Sequence, residues 1–168
     1  TKEDDGPQVK GVVWMVHGGA FYRTTKYDGA PSKLPKTLHW FMWEAYLTWI
    51  SGIAMLALIY WSQARAYMID PQVSDITTGT AIAIGMGTIV GGWLTYDILI
   101  KTLWKFPKLV SAVGVIALTA LTFWLTQTLS ARAAYIHVGA VLGTIMAGNV
   151  FFVIIPNQRV MVDAMMAG

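Results

Sequence analysis

The sequence predicts an all-α integral membrane protein, four transmembrane helices preceded by an aromatic-rich interfacial segment. Three observations carry that expectation. Of the 168 residues, 55% are hydrophobic and only 12% charged, and mean hydropathy is +0.53, whereas a soluble domain holds roughly 25% charged residues. Four long stretches carry no Lys, Arg, Asp or Glu. The basic residues gather on alternate connections between those stretches. Such a composition excludes a water-soluble globule, and it excludes intrinsic disorder, which needs few apolar residues and much charge.

The elements follow in chain order. Residues 1–10, opening TKEDDGP, form a polar tail. Residues 11–43 hold three Trp, two Tyr, two Phe and four basic residues, a mixture suited to the headgroup region, where amphipathic rings settle. Gly18, Gly19, Pro31 and Pro35 break this segment into pieces, so it reads as a partly helical stretch folded back over the cytoplasmic mouth of a bundle. Residues 44–168 are the bundle itself. Its helices are expected near 45–64, 77–98, 109–130 and 133–155, built on the uncharged runs Ala45–Ala64, Ile76–Tyr96, Leu109–Ala131 and Ala133–Gln158, the second extending past Asp97. About twenty apolar residues at ~1.5 Å each span a hydrocarbon core of ~30 Å. Four such runs, with no basic n-region and no cleavage site after the first, read as permanent spans and not as a secretion signal. Ile69-Asp70-Pro71 reads as a turn in the first connection, because the residue before proline avoids the α region.

Charge gives the expected orientation. Lys2, Lys10, Arg23, Lys26, Lys33, Lys36, Lys101, Lys105, Lys108 and Arg159 fall on one side, and Arg65 and Arg132 on the other. By the positive-inside rule both termini face the cytoplasm of a bacterial inner membrane. The net charge of +3 is then topological, and no nucleic-acid partner is implied; the lipid bilayer is the first partner.

Small residues mark helix contacts. Gly87 and Gly91 form a G-x-x-x-G pair in the second run, and Ala140, Thr144 and Gly148, with Gly139 and Gly143, repeat at four in the last. Small side chains let helices approach closely in lipid, so Gly91 and Gly148 are expected at helix–helix interfaces. No dinucleotide site is read from Gly85-x-Gly87, since no strand or phosphate-accessible loop surrounds it.

The polar inventory inside the membrane is small. With no cysteine, the chain cannot attach a c-type haem, ligate an iron–sulfur cluster or form a disulfide. A b-type haem wants two His at similar depth, or one with an open position. His137 stands alone about one turn into the last helix, so haem would need His17 or His39 to fold inward. The plainer role for His137 is a hydrogen bond to a neighbouring helix, with Arg132 closing the outer end of the bundle. Glu44 opens the first helix, where a carboxylate meets the positive end of the helix dipole. Asn149 is a polar residue of the kind that glues helices. No hydrolytic triad, paired-carboxylate site or metal-ligand cluster stands out, and composition and spacing leave the function open.

The segments VHGGAFY (16–22), LPKTLHWFMWEAYLTWISG (34–52), YMIDPQV (67–73), GWLTYD (92–97) and RAAYIHVGAVLGTIMAGNVFFVIIPNQRVMV (132–162) go further. Together they resemble the membrane region of the membrane-bound urate hydroxylases, the PuuD family. The likeness runs through most of residues 14–162 and is sharpest at H-G-G-x-F-Y, W-F-M-W-E and I-I-P-N-Q. It implies hydroxylation of urate to 5-hydroxyisourate, with water supplying the oxygen and a cytochrome c taking the electrons. It also implies a site at the positions matching those motifs. These are His17, Glu44 and His137 as catalytic candidates, and Gly18, Gly19, Phe21, Tyr22, Trp43, Asn149, Asn157 and Gln158 as substrate-binding candidates. A neutral His or Glu44 would take a proton from urate or water, and the Asn and Gln amides would match the carbonyl and N–H edges of the purine.

The family carries about eight spans and a C-terminal cytochrome c domain, against four spans and no cysteine here, so the resemblance is to a truncated membrane region without its cytochrome. Two readings follow. In one, the chain is a urate-oxidising module that passes electrons to a separate cytochrome c. In the other, it is a non-catalytic helical subunit among the other membrane subunits of a respiratory or photosynthetic complex.

Overall fold

A computed structural model describes residues 9–29 and 37–167. The expected polar tail lies largely outside the described residues, as do Pro31 and Pro35. The chain divides into two compact units, Thr1–Trp40 with Ile155–Gly168, and Phe41–Ile154.

The first unit corrects one expectation. Residues 9–27 are not partly helical: they form an antiparallel hairpin of β1 (Val9–His17) and β2 (Ala20–Tyr27). Val, Thr and aromatic residues dominate both strands, and such side chains suit a pleated backbone better than a helix. Gly18 and Gly19 make the two-residue turn, at φ +58° and +79°, the positive values that hairpin turns matching the strand twist require. His17 pairs with Ala20, Val16 with Phe21 and Trp14 with Arg23. Trp14, Val16, Phe21 and Arg23 therefore share one face, where the Arg23 guanidinium sits 6.0 Å from the Trp14 ring centre. The unit also holds α6 (Ile155–Ala167), whose Arg159 guanidinium lies 5.8 Å from the ring of Trp40.

The second unit is a helical bundle. Helix α1 (Trp43–Leu56) runs on as a π-helical stretch, Ala57–Trp61, in which the Ser62 amide reaches back five residues to the Ala57 carbonyl at 2.9 Å. A short α2 (Ala64–Tyr67) follows, then α3 (Thr78–Leu103), α4 (Pro107–Thr126) and α5 (Ala131–Asn149), which ends in a second π-helical stretch, Val150–Ile154. Four helical runs are long and apolar enough to cross a membrane: Trp43–Trp61, Thr78–Leu103, Pro107–Thr126 and Ala131–Ala167. Their ends follow local chemistry. The Thr77 hydroxyl caps α3 by accepting from the Thr80 amide, the Ser130 hydroxyl caps α5 through the Ala133 amide, and Pro107 opens α4 at a position where its missing N–H costs nothing. The first span stops at Trp61 and not near 64, and the second continues to Leu103. The fourth, at 37 residues, exceeds the ~20 that a crossing needs.

Helix α5 is the hub, packing against α1, α3 and α4. The buried side chains concentrate at the end of the bundle where α2 meets the α4–α5 turn: Ala64, Met68, Ala81, Leu125, Leu129, Ala133 and Ala134 form one cluster, and Leu56, Ile89 and Val141 a second beside it. Backbone and hydroxyl groups clamp this end. Ser130 donates from its amide to the Met68 carbonyl at 2.9 Å and from its hydroxyl to the Tyr67 carbonyl at 2.7 Å, and Ser74 donates to the Thr128 carbonyl at 2.6 Å. Asp70 accepts from the Gln72 amide and closes the expected turn at Pro71. Only 6–17% of the most apolar stretch of each span is buried by the chain itself, so most of the apolar surface is left for lipid. The chain is a multi-pass membrane protein.

Glycine placement agrees with expectation in one helix and departs from it in the other. A Cβ on Gly148 would meet the Trp93 indole, as a close contact requires. Gly91 does not behave so: a Cβ there, as on Gly87, Gly139 and Gly143, meets nothing within 4 Å. The tight positions on α3 are Gly85, against His137 and Met68, and Gly92, against Val141. Residues 81, 85, 89 and 92 fall on one helical stripe and supply the buried face of α3, whereas the G-x-x-x-G pair lies on another.

Candidate functional site

A groove of about 860 Å³ runs between α1 and α5. Small residues make it: Gly52 and Ala45 on one wall, Gly139, Ala140, Gly143 and Ala147 on the other. Among the described residues lining it, Glu44 is the one carboxylate. It is exposed and stands in the first turn of α1. The Thr48 hydroxyl bonds its backbone carbonyl at 2.6 Å. Deeper in the same seam the Trp49 indole donates to the Thr144 hydroxyl at 2.9 Å, which itself donates to the Ala140 carbonyl at 2.7 Å. This bond ties α1 to α5 across the groove.

His137 lies elsewhere. It is fully buried in the core of α5, packed where Gly85 leaves room. Its Nε2 accepts from the Trp61 indole N–H at 3.2 Å, and its Nδ1 sits 2.8 Å from the Ala133 carbonyl. An indole N–H only donates and a carbonyl only accepts, so the proton is on Nδ1 and both ring nitrogens are engaged. Tyr60 closes over the ring edge-on, with centroids 6.4 Å apart. Arg132 sits at the far end of this stack: its guanidinium lies over Tyr67, 5.2 Å from the ring centre, and Tyr67 packs on Tyr60 with centroids 5.8 Å apart. Glu44 and Trp61 are 17 positions apart on one continuous helical run, about 25 Å along the axis, so the structure does not bring Glu44 and His137 together.

Asn149, twelve residues beyond His137 on α5, is about 18 Å further along the axis. Its Nδ2 donates to the Tyr96 hydroxyl at 2.9 Å, a bond between α5 and α3. Trp43 meets Tyr46 edge-on with centroids 5.8 Å apart, and Tyr46 in turn meets Phe151. The remaining candidates belong to the other unit. His17, Gly18, Gly19, Phe21 and Tyr22 are exposed at the closed end of the hairpin, and Asn157 and Gln158 are exposed on α6.

A haem on His137 or through cysteine does not fit. A c-type group needs cysteine, which the sequence lacks, and His137 would have to surrender a buried hydrogen bond to become an axial ligand. Among the described residues no cluster of three His, Asp or Glu could hold a metal ion.

The sequence matches the urate oxidase N-terminal family over residues 1–168. The chain belongs to that family. No curated protein and no solved structure matches it. A family of this description accords with the motif resemblance in the sequence. Of the two polar ends of the bundle unit, the Glu44 end opens on the groove and the His137 end is closed. Trp61 was not foreseen as the partner of His137, because the two are 76 residues apart and a Trp near the end of a span reads first as part of an aromatic belt.

Proposed function

We propose that this chain is the membrane module of a urate-oxidising system in a bacterial inner membrane, with both termini cytoplasmic and electrons passing to a cytochrome c outside this sequence. Family membership across residues 1–168 is the observation that carries the reading. In the balanced reaction, urate and one water give 5-hydroxyisourate, two protons and two electrons. A new C–O bond forms at C5 of the purine, the water gives up one proton and keeps the other as the C5 hydroxyl, a ring N–H of urate gives up the second proton, and the electrons leave in two one-electron steps to the cytochrome. The groove beside Glu44 supports a purine pocket: its volume lies within the ~300–1,000 Å³ of small-molecule sites, and its carboxylate is the group able to accept a proton from water or urate.

His137 has a different part in this account. With both nitrogens engaged it positions Trp61 and closes the core, and it moves no proton. The purified chain in nanodiscs should bind urate saturably by equilibrium dialysis, and Glu44→Gln should weaken that binding tenfold or more while leaving the melting temperature unchanged. Equal binding by both proteins would remove Glu44 from the site, and no saturable binding by the wild type would overturn the reading.

A further inference from the structure

A second cavity, of about 510 Å³, lies between α1, α3 and the end of α5, and aromatic rings wall it. Tyr46 and Phe151 have centroids 5.2 Å apart, Phe151 and Phe152 4.7 Å, and Trp93 and Phe152 5.3 Å, with Trp43 and Trp49 completing the wall. Such spacings are those of offset and edge-on ring packing, so the cavity offers faces and edges to a flat guest. Gly148 lets the Trp93 indole lie back against α5 and out of the cavity, because a Cβ there would strike the indole nitrogen. That indole N–H has no acceptor among the described residues, while no fully buried donor is left without a partner. The indole nitrogen is therefore not fully shielded, and Trp93 and Gly148 both line the cavity. The rim carries Trp43, Ile50 and Phe152, all largely exposed, and all the lining residues belong to membrane-spanning runs. A guest enters from the bilayer.

We propose that this cavity binds a planar, lipid-soluble molecule bearing a ring carbonyl, of the quinone class, with the carbonyl accepting from Trp93 Nε1–H. A saturated acyl chain would fill the volume but leave the donor unsatisfied and gain nothing from the ring faces. A quinone ring matches both. The proposal concerns binding alone and does not rest on the urate reading, since it is tested with no urate present.

The test measures decylubiquinone retained by the wild-type chain in nanodiscs, above that retained by empty nanodiscs, with dodecylbenzene as a carbonyl-free competitor. Saturation near one quinone per chain is expected. Trp93→Phe keeps a ring in place and removes the donor, and should weaken binding about 3- to 10-fold, the worth of one neutral hydrogen bond. Gly148→Ala should push the indole into the cavity and abolish binding; where that variant fails to fold, Trp93→Phe decides. Equal competition by dodecylbenzene, or unchanged binding by Trp93→Phe, would make the cavity an acyl-chain crevice and overturn the proposal. Retention that never saturates would overturn it as well, and a dimer in the same preparation would then identify a second copy as the occupant.

Discussion

Gly85→Ala puts one methyl group where the bundle has no room for it. An ideal Cβ at Gly85 falls 2.5 Å from His137 Nε2, 3.0 Å from its Cδ2 and 3.2 Å from the Met68 methyl. None of these neighbours can retreat freely, because His137 and Met68 are both fully buried. Overpacking of a filled core costs about 1–3 kcal/mol. Displacing the imidazole also breaks its bond from Trp61 and leaves a buried acceptor unsatisfied, at about 1–3 kcal/mol. Alanine's better helix propensity returns up to ~1 kcal/mol. The net loss is about 2–4 kcal/mol, a fall in melting temperature on the order of 5–15 °C for a chain of this size. Intrinsic fluorescence during thermal unfolding in detergent reads it, and Gly87→Ala, which meets nothing within 4 Å, is the control. A Gly85→Ala protein that melts with wild type, or a Gly87→Ala protein that melts lower, would refute the reasoning.

Four further outcomes are expected. Trp61→Phe keeps the ring but orphans His137 Nε2, and should lower stability by about 1–3 kcal/mol in the same melt; no change would mean the bond contributes nothing. Ser130→Ala removes the α5 cap and the bond to Tyr67 at once, and a loss of about 1–2 kcal/mol is expected, with a null result counting against the clamp. Leucine at Gly148 should disturb packing or assembly, since the Trp93 indole occupies its space, whereas leucine at Gly91 should be tolerated; size-exclusion profiles showing the reverse would contradict both. Cysteine placed at residue 72 should react with an impermeant thiol reagent added outside cells, and one at residue 104 should not. The opposite labelling would invert the proposed orientation.

The spans were legible because lipid imposes a coarse demand: about twenty residues without charge, a pattern that needs no knowledge of partners. Their rotations were not. Gly87 and Gly91 satisfy the spacing for close packing as well as Gly85 and Gly92 satisfy a seven-residue repeat, and only the direction in which α3 faces α5 decides between them. The hairpin was legible in principle, since two runs rich in Val, Thr and aromatic residues flank Gly18-Gly19. Aromatic and basic content, which an interfacial helix shares, obscured it. His137 was expected to bond to a neighbouring helix and does so, but its donor lies 76 residues away, and no local pattern encodes a pairing of that range. Of the candidate site residues, the resemblance named positions without geometry. Glu44 opens on a groove, His137 does not, and that difference came only with the packing of α1 and α5.

The proposed urate reading requires an external electron acceptor, because this sequence offers neither a c-type haem attachment nor a dinucleotide loop to receive electrons. The direct measurement is urate absorbance and cytochrome c reduction followed together, with the purified chain in nanodiscs, with and without added oxidised cytochrome c. The account predicts urate loss only when cytochrome is present, with two cytochromes reduced per urate consumed. Urate turnover with no added acceptor, or cytochrome reduction that does not depend on urate, would contradict it.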